Sequence, residues 1–96
     1  MFGQKTKKKD DIFHKLHHRP IRCMSVKDLT TYRETVIGRD GIINVSDGEM
    51  IIIFQNTEAF RKEISYLEVA ELLSRDGFTI TDQLEENIMY VVYYTK

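Results

Sequence analysis

Apolar and polar positions in the second half of the chain follow the periods of β-strands. The run from Met50 to Phe54 is uninterrupted, which is typical of a central strand covered on both faces. Asp47-Gly48 precedes this run and predicts a tight hairpin turn. Together with this strand over residues 49–55, the pattern predicts four others, over residues 42–45, 58–64, 78–81 and 88–95.

A helical period predicts one main helix over residues 66–76. Ser65 and Glu68 match a capping box, in which a hydroxyl and a carboxylate satisfy amides of the first turn reciprocally. Gly77 stands where the helix would end, since glycine adopts the left-handed conformation at little cost. Three apolar residues recur between these signals at helical spacing: Leu67, Ala70 and Leu73.

Two further helices are predicted in the first 36 residues of the chain. Ser25 and Asp28 are a weaker start signal for a helix over residues 26–36, with a strand as the alternative because threonines lose rotamer freedom in helices. A second, short helix is predicted over residues 11–19. Pro20 would stop it, because proline disfavours a helical residue before it.

These elements predict an α+β fold, an antiparallel sheet of about five strands with helix 66–76 packed on one face. The alternative is a small, partly open barrel closed by that helix. In element order alone, such a barrel is similar to pleckstrin-homology-like domains.

Charge divides the chain near residue 22. Residues 1–22 hold seven Lys and Arg against two acids, whereas residues 23–96 hold seven against thirteen. The net charges of the two parts are therefore +5 and −6, which sum to the −1 of the whole chain. This pattern predicts a basic, largely disordered arm over residues 1–22 and a single domain over residues 23–96.

The lysines of the arm, Lys5, Lys7, Lys8 and Lys9, are candidate interaction residues. Phosphates of a nucleic acid or of anionic lipids would attract them, with a strong dependence on salt. An acidic face of the same chain or of a neighbouring subunit is another candidate partner. The plainest interpretation is a solvated tail that promotes solubility.

His14, His17 and His18 have the spacing that places three side chains on one helical face, and Cys23 follows them. Imidazole and thiolate groups are ligands for zinc or copper. These four residues are weak metal candidates, because solvent-facing histidines and a buried lone cysteine are the more common outcomes. No metal or other cofactor is therefore predicted.

The last predicted strand is rich in tyrosine, and Tyr90, Tyr93 and Tyr94 are candidate interaction residues if one of them faces outward. The sequence contains no phosphate loop, nucleophile elbow or Cys-x-x-Cys motif, so a catalytic role is not expected. The leading function hypothesis is a small non-enzymatic interaction module that binds a protein partner or itself. A nucleic-acid-associated regulator and a metal-responsive protein are the alternatives.

The single cysteine excludes an internal disulfide, and no apolar run approaches the roughly 20 residues that span a bilayer. These features predict a soluble, cytoplasmic protein of the size typical of small bacterial domains.

Overall fold

The computed structural model describes residues 12–95, which form a single antiparallel sheet preceded by a short helical segment over residues 12–16. The seven strands are β1 (Pro20–Asp28), β2 (Glu34–Ser46), β3 (Glu49–Phe54), β4 (Thr57–Glu63), β5 (Leu67–Glu71), β6 (Gly77–Asp82) and β7 (Glu85–Tyr94). A 3₁₀ turn, Ile64–Tyr66, joins β4 to β5. The sheet order is β4-β3-β2-β1-β7-β6-β5, so β4 and β5 are the edge strands.

The predicted α+β fold is wrong, because the described chain has seven strands instead of about five and no helix over residues 66–76. The barrel closed by that helix is wrong for the same reason. Residues 67–71 also fit a period of two: Leu67 is buried and Val69 packs on the core, whereas the residue between them is exposed. Pairing with β6 therefore prevails over the local helical signals.

Gly77 does not end a helix but begins β6. A Cβ atom at this position would overlap the carbonyl oxygen of Val92 in β7. The glycine is therefore needed for the close approach of two strands.

The helix predicted over residues 26–36 is also absent, and the alternative strand interpretation is correct. Residues of β1 and β2 occupy this range, with Val26 opposite Thr35 in an antiparallel pair. The predicted hairpin at Asp47-Gly48 is confirmed: φ is 53° at Asp47 and 76° at Gly48, the left-handed region that such turns require. The five predicted strands are present as the end of β2 and as β3, β4, β6 and β7; the predictions were residues 42–45, 49–55, 58–64, 78–81 and 88–95.

The sheet curls so that its inner face encloses the hydrophobic core. Phe60 on edge strand β4 packs edge-on against Tyr90 of β7, with ring centroids 5.0 Å apart. The helical segment contributes Phe13 and Leu16 to the same core. Burial of one apolar cluster by all these elements explains how a chain this short folds without disulfides.

The part of the arm that the structure describes packs on the rest of the fold. β1 begins at Pro20, and Ile21 is only 1% exposed, so the strand passes through the boundary predicted near residue 22. Of the helix predicted over residues 11–19, residues 12–16 are helical. Residues 1–11, to which the prediction of a disordered arm mainly applies, lie outside the described residues.

Candidate functional site

The outer side of edge strand β5 presents unpaired backbone groups. Leu72 donates its N–H to Gly77 and Gln83 donates its N–H to Tyr66, each over 2.9 Å. Hydrogen-bonded pairs alternate along an antiparallel ladder. The backbone N–H and C=O groups of even-numbered residues of β5 therefore bond to β6, and those of odd-numbered residues point away from β6 in the plane of the sheet. Val69 and Glu71 therefore direct both N–H and C=O outward, without a backbone partner among residues 12–95.

The side chains along this edge are acidic and apolar. Glu68 and Glu71 are exposed, and neither forms an ion pair with another described residue. Tyr66 and Leu73, just beyond the two ends of β5, are 42% and 104% exposed. We call the outer backbone of Leu67–Glu71, together with these side chains, the β5 edge.

Edge strand β4 is protected where β5 is not. Arg61 binds Glu49 at 2.8 Å and Glu58 at 2.6 Å, and these hydrogen-bonded carboxylates raise the pKa of its guanidinium. The register with β3 shifts between Ile52 and Ile53, which leaves Ala59 as a bulge. Charged side chains and bulges are features that keep edge strands from pairing with other chains.

A partly buried ion pair connects β4 to the β6–β7 hairpin. Lys62 Nζ lies 2.7 Å from Asp82 Oδ2 and also contacts Glu85. The side chain of Asp82 is only 4% exposed. Burial by itself raises the pKa of Asp82, but hydrogen bonds from Lys62 and from the amide of Leu84 outweigh it and hold the pKa below its ordinary value. This pair fixes the position of β4 across the core.

A cavity of about 230 Å³ lies between the helical segment and the strands β5, β6 and β7. Its apolar wall includes Leu16, Val69 and Phe78. Two cationic side chains, Lys15 and Arg19, complete the wall near the helical segment. We call this space the Arg19 cavity.

Arg19 is held against an aromatic ring in this cavity. Its guanidinium carbon lies 3.8 Å from the ring centroid of Tyr94, a favourable cation–π distance. Within the part of the chain that the structure describes, neither Arg19 nor Lys15 forms an ion pair. Burial raises the pKa of Tyr94, Arg19 opposes that rise, and Glu71 adds to it. Both charges therefore act on the Tyr94 hydroxyl.

A second cavity, of about 470 Å³, lies beside the β1–β2 loop. Asp28 is among its polar residues, but one of its carboxylate oxygens accepts hydrogen bonds from the amides of Thr30 and Thr31. This carboxylate stabilises its own loop, as aspartate does in many turns.

The three histidines do not share one helical face, because the helix ends before His17. The helical segment ends at residue 16, and His18 has a φ of 64° in the following turn. His17 Nδ1 accepts a hydrogen bond from the amide of Val45 at 2.8 Å, and the rings of His17 and His18 stack. Among residues 12–95, no group of three His, Cys, Asp or Glu side chains is placed to hold a metal ion.

The three candidate tyrosines lie on different faces of the sheet. Tyr90 and Tyr94 pack against the core. Tyr93, between Val92 and Tyr94 on the same strand, faces the outer side, where Arg22 stands 5.3 Å from its ring centroid. Cys23 pairs with Tyr93 across the ladder and is half-buried.

The candidate lysines of the arm, Lys5, Lys7, Lys8 and Lys9, lie outside the described residues. Nucleic-acid binding by these lysines remains a prediction. No helix within residues 12–95 is long and apolar enough to cross a membrane.

Sequence reasoning missed both the β5 edge and the Arg19 cavity. The edge lies within the segment that was assigned to the main helix. The cavity forms from four separate elements, so no local spacing indicates it. Comparison of the chain with protein-family models, curated proteins and solved structures finds no match.

Proposed function

We propose that this protein is a non-enzymatic interaction module that binds an extended, basic segment of a protein partner. The segment would add a strand to β5. The observation that carries this proposal is the outward backbone of Val69 and Glu71, which has no hydrogen-bond partner within residues 12–95. Addition of a strand to an exposed sheet edge is a recurring mode of peptide recognition.

The side chains of the β5 edge favour a basic segment. Main-chain hydrogen bonds supply affinity for any extended peptide, whereas Glu68 and Glu71 select lysine or arginine in it. The exposed side chains of Tyr66 and Leu73 offer apolar contacts at either end. A segment with alternating basic and apolar residues places its basic side chains on one face of the strand, where they can meet Glu68, and its apolar side chains on the other face.

The same acids disfavour pairing of β5 with a second copy of itself. Pairing of two β5 strands would bring Glu68 and Glu71 of both copies into one interface, and repulsion between like charges disfavours such an interface. A protein partner of opposite charge is therefore the better occupant.

The test uses fluorescence anisotropy of a labelled peptide with alternating lysine and valine, and a peptide in which glutamate replaces lysine. We expect the full chain to bind the lysine peptide, more tightly at low salt, and to bind the glutamate peptide at least tenfold more weakly. Equal binding of the two peptides, or no binding, would overturn the proposal.

Two proline variants locate the binding edge. Glu71→Pro removes an outward N–H from β5 without breaking the ladder to β6, and it should abolish binding. Glu63→Pro is the matched control on β4, since Glu63 faces outward there and its φ of −68° already suits proline. Loss of binding in both variants, or in neither, would contradict the assignment to β5.

Light scattering and a competition assay test the other occupants. If a second copy fills the edge, the wild type will form a dimer that Glu71→Pro abolishes. If the chain's own residues 1–11 fill it, their deletion will strengthen peptide binding. Either result would replace the external partner that we propose. Preferential binding of mixed-sequence DNA or RNA, lost on deletion of residues 1–11, would support the nucleic-acid alternative instead.

A further inference from the structure

We infer that the Arg19 cavity is a binding site for a small organic monocarboxylate with an apolar body. This site adjoins the β5 edge and shares Val69 and Glu71 with it, but its ligand would contact side chains rather than the free backbone. Three observations support this site: the volume and apolar lining of the cavity, the two cationic side chains in its wall, and the carboxylate of Glu71 beside them.

The cavity has the size and lining that a small amphipathic ligand requires. Its volume is about 230 Å³, and Phe78, which is 1% exposed, forms part of its wall together with Leu16 and Val69. Pockets of this kind bind by apolar contact and are oriented by a few polar groups. An aromatic ring or a short branched chain fits this space.

The cationic groups provide the anchor for a carboxylate. Arg19 lies on the face of Tyr94 at 3.8 Å, so its guanidinium is already oriented before a ligand arrives. Lys15 lines the same cavity. Neither cation forms an ion pair with another residue in the range 12–95, so no carboxylate of that range occupies their hydrogen-bond donors. Guanidinium groups match carboxylates with two parallel hydrogen bonds.

Glu71 limits the charge that the site accepts. It lines the same cavity as the two cations, so the side chains of Lys15, Arg19 and Glu71 together carry a net charge of +1. This balance favours an anion with a single charge, because a second carboxylate would meet Glu71. The rim therefore selects a monocarboxylate over a dicarboxylate.

The test is titration of the full chain with benzoate, observed through the NMR signals of the Arg19 and Tyr94 side chains. We expect saturable binding, with a dissociation constant on the order of 1 mM for so small a ligand. The neutral analogue benzamide and the dicarboxylate phthalate should each bind at least fivefold more weakly. Absence of saturation, or equal affinity for benzamide, would overturn the inference.

Matched variants assign the binding to this cavity. Arg19→Gln should weaken benzoate binding at least tenfold, and Lys15→Gln should weaken it severalfold. Arg22→Gln is the control, because it removes an arginine that lies over Tyr93 on the outer face of the sheet and should leave binding unchanged. Glu71→Gln should strengthen binding of benzoate and of phthalate. An equal loss in Arg19→Gln and Arg22→Gln at unchanged melting temperature would contradict the site.

Discussion

The two edge strands of this sheet differ in how they are protected against pairing with a strand of another chain. On β4, Arg61 is neutralised by ion pairs with Glu49 and Glu58, and a bulge at Ala59 interrupts the ladder. On β5, the ladder to β6 is regular over all five paired positions, and the acids stand without ion pairs among the described residues. β4 therefore carries two features that protect an edge strand, whereas the β5 edge that we propose as a binding site would exclude acidic strands and accept a basic one.

Carboxylates near the two edge strands also differ in whether they pair with cations of the same chain. On the β4 side, the carboxylates of Glu49 and Glu58 pair with Arg61 of the same chain. Carboxylates of the β5 edge remain available to another molecule. Long-range attraction of a basic partner would therefore be directed toward β5.

The largest expected effect comes from separating β6, the strand that pairs with β5, from β7. Gly77→Ala places a Cβ atom against the backbone of Val92, so β6 and β7 must separate. We expect a loss of about 3 kcal/mol or more in the free energy of unfolding, measured in urea. Gly38→Ala is the control on the other half of the sheet, where the obstacle is the side chain of Phe54 instead of backbone atoms. An equal or smaller loss for Gly77→Ala would contradict this account.

The second effect concerns the connection between β4 and the β6–β7 hairpin. Lys62→Met leaves the nearly buried carboxylate of Asp82 without its cation, and we expect it to cost about 3 kcal/mol in chemical denaturation. The double variant Lys62→Met with Asp82→Leu should recover much of this loss, because it leaves no buried charge. A single variant as stable as the wild type would show that β4 is not held by this pair.

The same pair predicts a dependence of stability on pH. Because the pKa of Asp82 is lower in the folded state than its ordinary value of 3.8, ionisation of Asp82 stabilises the fold above that value. This contribution is lost as the pH falls from about 3.8 through the lowered pKa. Thermal unfolding between pH 2 and 6 should show this loss in the wild type and not in Asp82→Leu with Lys62→Met. If the melting temperatures of the two proteins depended on pH in the same way, the loss of stability could not be assigned to Asp82.

The smallest effect tests the selectivity of the β5 edge. Glu68→Lys should weaken binding of the lysine peptide about fivefold at low salt, since exposed charge pairs contribute up to about 1 kcal/mol. Glu63→Lys makes the same change on β4 and should leave binding unchanged. An equal decrease in both variants would indicate a general attraction to the acidic body instead of a β5 site.

The sequence predicted the strands of this fold far better than its helices. The apolar run at Met50–Phe54 and the turn at Asp47-Gly48 determine local structure by themselves, and both are present. Residues 67–71 fit two periods at once, and only pairing with β6 decides between them. Tertiary contacts thus override a capping signal whose helix would be marginal in isolation.

The candidate site could not be predicted for a related reason. The β5 edge exists only because β5 is last in the sheet order, which is a property of topology. Lys15 of the helical segment and Glu71 of β5 line the same cavity, and no spacing along the chain indicates this arrangement. The outward position of Tyr93, by contrast, follows from simple alternation along β7.

The most direct test of the central claim is a residue-by-residue map of backbone amides during titration with the lysine peptide. Two-dimensional ¹H–¹⁵N spectra would follow the amides of Val69 and Glu71 on β5 and those of Arg61 and Glu63 on β4. The account predicts large shifts and slowed hydrogen exchange for the β5 amides, with no change on β4. Shifts confined to β4, or spread evenly over both edges, would contradict it.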